Sequence, residues 1–187
     1  MAMSIYRRAR VVILGIPVCL LFLGLGAGSA AADDKGLALL DLFEKTCARR
    51  PALPTALQHL AKAAGFENEH GDLTPDMESG DELDLVYFAK LERGGATFKL
   101  DAYFSGSRGA PSVSCTMAAS GVDGKDLAPA IEAAEKVASP VIEFSNDGVI
   151  GRLKWTVGGA DRNDRLEMAF RRNEPHRTSL NLTYQIR

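Results

Sequence analysis

The sequence predicts an α+β domain of two layers, an antiparallel sheet covered on one face by amphipathic helices. Two residue patterns and the punctuation between them predict it. Apolar residues recur at three- and four-residue spacing within 37–64 and 127–137, and they alternate with polar residues within 85–119 and 153–186. The first spacing gathers side chains on one side of a helix, and the second gathers them on one side of a strand. Short Gly-, Asn- or Pro-containing stretches separate the alternating runs, and strands with one wet face joined by short turns pair antiparallel.

Ahead of these patterns stand Arg7, Arg8 and Arg10, followed by an uncharged run at 11–32. A basic start, an apolar stretch at 11–25 and Ala30 and Ala32 in an A-x-A arrangement make residues 1–32 a secretory signal peptide. Its cleavage leaves residues 33–187 as a single mature domain in the periplasm or outside the cell. A membrane anchor takes about 20 apolar residues, a length the run also reaches. Gly24, Gly26, Gly28 and Ser29 dilute its second half and Pro17 interrupts its first, so release is expected and stable membrane insertion is not. Arg10 stands where a twin-arginine signal needs an apolar residue, and Val18 stands where a lipoprotein signal before Cys19 needs a small one.

In the mature chain, Leu37, Leu40, Phe43 and Cys47 share a helix face that Pro51 closes, and Leu53, Leu57, Leu60 and Ala64 form a second stripe ending at Gly65. Residues 66–84 read as a loop, because they hold eight carboxylates (Glu67, Glu69, Asp72, Asp76, Glu78, Asp81, Glu82 and Asp84) with no Lys or Arg. A strand at 85–91 follows, then a Gly94-Gly95 turn. Next, Phe98, Leu100, Ala102 and Phe104 alternate with Thr97, Lys99, Asp101 and Tyr103. After a loop at 105–112, Val113, Cys115, Met117 and Ala119 face one way from a third strand.

Asp126 is placed to cap a helix presenting Leu127, Ile131, Ala134 and Val137, with Pro129 in its first turn and Pro140 at its end. A short strand at 141–144 precedes Asn146-Asp147-Gly148. Three alternating runs close the chain: Leu153, Trp155 and Val157; Leu166, Met168 and Phe170; and Leu180, Leu182, Tyr184 and Ile186, parted by Gly158-Gly159 and Asn173-Glu174-Pro175. Helix, strand, strand, strand thus occurs twice, the order of an internally duplicated unit.

Chemistry is sparser. Residues 1–32 carry three of the 22 basic residues and none of the 24 acidic ones, so cleavage moves the formal charge from −2 to −5. That balance argues against nucleic-acid binding, which needs a basic excess to offset phosphate charge. Cleavage also removes Cys19. In an oxidising compartment Cys47 and Cys115 then form the expected disulfide, both lying on apolar faces between helix and sheet. A redox-active or nucleophilic role has no C-x-x-C motif or placed His to support it.

His59, His70 and His176 lack zinc spacing, and Asp72, Asp76, Glu78 and Asp81 lack the order of an EF-hand, so no metal and no cofactor is expected. Ser105-Gly106-Ser107-Arg108-Gly109 lacks the first glycine of G-x-S-x-G. The remaining candidate is a wet strand face on which Arg152, Lys154, Arg165 and Arg171 alternate with core residues and Asn181, Thr183 and Gln185 continue the polar surface. Such a face suits an anionic ligand or partner, and Glu167 offsets part of it.

Phe43-Glu44-Lys45-Thr46-Cys47, with Pro51 and an Ala-rich helix ending at Gly65-Phe66, resembles a segment of small exported proteobacterial proteins of unknown function. The resemblance implies a bacterial, periplasmic setting and carries no activity. The expected function is a non-enzymatic binding or interaction domain acting through its sheet face or acidic loop. The alternative is an envelope hydrolase with a site assembled from scattered residues.

Overall fold

The two alternating regions join into one sheet. The computed structural model describes residues 34–135, 141–144, 149–157, 164–171, 173 and 175–186. The expected signal peptide, Val137, Pro140 and the Asn146-Asp147-Gly148 and Gly158-Gly159 turns lie outside them. In chain order come helix α1 (Asp34–Lys45), a 3₁₀ turn (Cys47–Arg49), helix α2 (Pro54–Ala64), strand β1 (Glu67–Asn68) and a second 3₁₀ turn (Pro75–Glu78). Strands β2 (Glu82–Arg93), β3 (Ala96–Ser107) and β4 (Ser112–Ser120), a third 3₁₀ turn (Gly124–Leu127) and helix α3 (Ala128–Glu135) follow. Strands β5 (Val141–Phe144), β6 (Ile150–Val157), β7 (Asp164–Arg171) and β8 (Arg177–Gln185) end the series. Among the described residues the strands pair in the order β1-β2-β3-β4-β8-β7-β6-β5, each pair antiparallel.

Turn chemistry sets the longest hairpin. Gly94 (φ 59°) and Gly95 (φ 70°) both take positive φ, the two-residue connection whose twist matches its flanking strands. It fixes a register running from Arg93↔Ala96 to Glu82↔Ser107. The two meanders meet along β4 and β8, with Cys115 opposite Leu182.

Alternation gives the core as expected. Phe98, Leu100, Ala102 and Phe104 of β3, Val113, Cys115, Met117 and Ala119 of β4, and Leu180, Leu182 and Tyr184 of β8 are buried. Leu153, Trp155 and Val157 of β6 and Leu166, Met168 and Phe170 of β7 join the same cluster, as do Leu39, Leu42 and Phe43 of α1. Gly151 is closed in by the Phe170 ring, which leaves no room there for a Cβ.

The helices depart in part from their predicted faces. In α1 the buried residues are Gly36, Leu39, Leu42 and Phe43, while Leu37 is 49% exposed. Phe43 and Cys47 are buried as expected and Leu40 packs half-buried against the core, so the departure is at Leu37; past Lys45 the chain tightens into the 3₁₀ turn that holds Cys47. Helix α2 buries Pro54, Leu57, Gln58 and Ala61, with Leu53 and Ala64 of the expected stripe half-buried against the core, and ends on left-handed Gly65 as expected. Asp126 lies within a 3₁₀ turn, and α3 begins at Ala128 beside Pro129. Leu127 and Ile131 are buried and Ala134 is exposed.

The expected 66–84 loop also gains structure. Glu67 and Asn68 pair with Lys90 and Ala89. The side chain of buried Gln58 accepts the Leu73 N–H at 2.6 Å, tying the acidic segment to α2.

Candidate functional site

Cys47 and Cys115 are joined, as their apolar positions predicted, with Cα atoms 5.5 Å apart and both side chains fully buried. Next to this bridge the chain makes a second tie. Arg50, at φ 51°, places its Nε 2.7 Å from Oδ2 of buried Asp164 on β7. The Tyr184 hydroxyl donates to the Pro51 carbonyl at 2.8 Å, and burial pushes its pKa well up. These groups hold the α1–α2 connection against the sheet.

The opposite sheet face is open. Lys99, Tyr103, Arg152, Arg165, Arg171, Arg177, Thr183 and Gln185 are exposed on it. At its centre, where β4 meets β8, Asn181 Nδ2 donates to Ser114 Oγ (2.9 Å) and Thr116 Oγ1 (2.6 Å), and its Oδ1 accepts the Thr183 hydroxyl (3.1 Å). This ladder ties β4 to β8 across the seam.

Arg152, Lys154, Arg165 and Arg171 all lie on this face, spread along β6 and β7 with Arg165 and Arg171 at opposite ends of β7. Their surroundings differ. Lys154 Nζ sits 2.7 Å from Glu143 Oε2 and holds that carboxyl below its usual range. Arg152 reaches Glu167 only at 3.9 Å. Arg165 and Arg171 have no carboxylate partner among the described residues. Sequence reasoning missed Arg177, which pairs across strands with Arg171 and likewise has no such partner. The Arg177, Ser179, Asn181, Thr183 alternation was the available signal, since it starts two residues before Ser179.

One row across the sheet runs Lys99, Ala118, Ser179, Ala169, Arg152. Its three central side chains are small while their neighbours are long, so the surface sinks there. A groove of ≈ 670 Å³ lies over this row, bounded by Ile150, Arg171, Pro175, His176 and Arg177. A smaller one of ≈ 290 Å³ adjoins it, bounded by Ser120, Thr97, Lys99 and Arg177. Asp101 lines the larger groove, where burial raises its carboxyl pKa against the opposing pull of Lys99 and Arg177.

The acidic loop serves the fold. Glu78, 2% exposed, accepts the Thr55 N–H (2.6 Å) and hydroxyl (3.0 Å) at the start of α2, whose N-cap Leu53 has no side chain to do so. Asp72 is taken by Lys62 (2.7 Å) and Asn68 (2.6 Å). Among the described residues no three His, Cys, Asp or Glu side chains gather as a metal site. His59 and His70 are exposed, His70 packing edge-on against Phe88, and the His176 ring lies 3.3 Å from the Arg171 carbonyl. No family model, curated protein or solved structure matches this chain.

Proposed function

We propose that the protein is an exported, periplasmic or secreted binding domain, stapled by the Cys47–Cys115 bridge, whose open sheet face holds an anionic ligand or partner. The observation that carries this reading is the exposed cross-strand pair Arg171 and Arg177, with Arg165 about 20 Å further along β7 on the same face, none of the three having a carboxylate partner among the described residues. Guanidinium groups with no carboxylate partner among the described residues, on an exposed sheet face, have hydrogen bonds to offer a ligand. The disulfide supports an oxidising compartment. No helix among the described residues is long and apolar enough to cross a membrane. We read the architecture as two layers built from a repeated helix-and-meander unit, with its two copies meeting at β4 and β8.

Fluorescently labelled poly-aspartate tests the reading. The protein should bind it at low salt and release it as salt rises, and a triple Arg165→Gln, Arg171→Gln, Arg177→Gln variant with an unchanged circular dichroism spectrum should not bind. Equal binding by the triple variant would sink the idea. Asp101 and His176 share the larger groove, which keeps an envelope hydrolase as the second reading. Turnover of an ester substrate that disappears in His176→Ala would favour that alternative.

A further inference from the structure

Two guanidinium side chains stand directly opposite each other on the open face, because β7 and β8 pair in the register Arg171↔Arg177. Cross-strand neighbours have Cβ atoms about 4.5–5.5 Å apart, and like charges at that spacing repel. Within the described residues nothing anionic separates them. An anion seated between the two turns repulsion into attraction, and the adjoining grooves leave space for one.

Resting on the anionic-ligand reading above, we propose that the Arg171–Arg177 pair binds the phosphate group of a phosphorylated organic ligand. Two planar forks need acceptor oxygens on two sides and more than one negative charge; a tetrahedral phosphate offers both, whereas a lone carboxylate fills one fork. Ser120 is the cross-strand neighbour of Arg177 on β4, and its exposed hydroxyl donates to a third phosphate oxygen. Beyond it, Lys99 places a further positive charge along the smaller groove. A volume of ≈ 670 Å³ exceeds what a bare ion fills and falls in the range of about 300–1,000 Å³ usual for small-molecule sites. Ala118 and Ala169 on its floor and Ile150 at its edge give the organic remainder an apolar bed. Asp101 opposes the anion from the far side of the groove, which makes it a useful control.

Backbone amide shifts of the full protein, titrated with inorganic phosphate and with glycerol phosphate, test the proposal. Both compounds should move the amides of 118–120, 169–171 and 177–179. Arg171→Gln and Arg177→Gln should each weaken glycerol phosphate by about tenfold or more. Arg108→Gln, on the hairpin loop at the other end of β4, should leave the affinity as it is, and Asp101→Asn should raise it. Phosphatidylcholine vesicles with and without phosphatidylglycerol distinguish the sources. Arginine-dependent binding only to the anionic vesicles, displaced by glycerol phosphate, supports a lipid headgroup; binding of glycerol phosphate without vesicle binding supports a free phosphate ester. Poly-aspartate binding with no response to any phosphate compound overturns the proposal and leaves the broader reading intact. Failure of poly-aspartate and phosphates alike overturns both.

Discussion

Breaking the Cys47–Cys115 bridge removes a cross-link between residues 68 apart in sequence. In the chain-entropy treatment, closing a loop of that length stabilises the folded state by about 4 kcal/mol, through the freedom it denies the unfolded chain. Both sulfurs are fully buried, and a buried cysteine packs as a small apolar group, so replacement by Ala adds only a small cavity cost. For a domain of this size about 4 kcal/mol corresponds to a fall of roughly 8–16 °C in melting temperature. The assay is thermal and urea denaturation of the oxidised protein, Cys47→Ala, Cys115→Ala and the double variant. Partners in one bond should give equal single losses, and the double variant should lose no more than either single. Losses that add, or a fall below about 1 kcal/mol, would refute the assignment of the bridge as a main support of the fold.

Four further outcomes are expected. Arg50→Ala strands the buried Asp164 carboxylate and should cost about 3–5 kcal/mol in urea denaturation; Arg50→Gly, which relieves the positive φ, should cost about 1 kcal/mol less. Glu78→Ala uncaps α2 and should cost about 1–3 kcal/mol, with faster hydrogen exchange at Thr55 and Glu78→Gln recovering part of the loss. Burial raises the Asp101 pKa, so the folded state holds that proton more tightly than the unfolded state, and ionisation costs stability that returns as pH falls through the folded pKa. Asp101→Asn should therefore melt higher than the parent at neutral pH and lose that advantage in acid; a gap unchanged by pH would discount the burial. Arg177→Thr should stabilise the ligand-free protein by about 0.2–1 kcal/mol by relieving the like-charge pair, and a lower melting temperature would show that the arginines do not repel.

What could be read from the sequence was local, and what could not was set by pairing across distance. Alternation placed Phe98, Leu100, Met168 and Leu182 in the core and put Arg152, Lys154, Arg165 and Arg171 on one wet face, because the period of two survives any arrangement of strands. The Gly94-Gly95 turn announced its hairpin for the same local reason. No periodicity states that β4 lies beside β8, and only that pairing sets Ala118 beside Ser179 and Ser120 beside Arg177. The groove and its second arginine were consequently invisible. The Arg50–Asp164 pair spans 114 residues with no repeating pattern to mark either member.

The sheet separates supporting groups from candidate binding groups, and this makes the proposed function experimentally accessible. On its covered face stand the disulfide, the Arg50–Asp164 pair and the Tyr184–Pro51 hydrogen bond, all tying the connection between the first two helices to the strands. Losing any of them strands a buried charge or polar group, or frees the unfolded chain, so such variants report on folding. On the open face, Arg165, Arg171 and Arg177 are exposed and contribute no ion pair among the described residues to the fold. Surface substitutions without such partners usually move stability by less than about 0.5 kcal/mol. A loss of ligand binding in those arginine variants, with the melting temperature held or raised, would therefore report recognition directly, because the covered face that supports the structure is untouched.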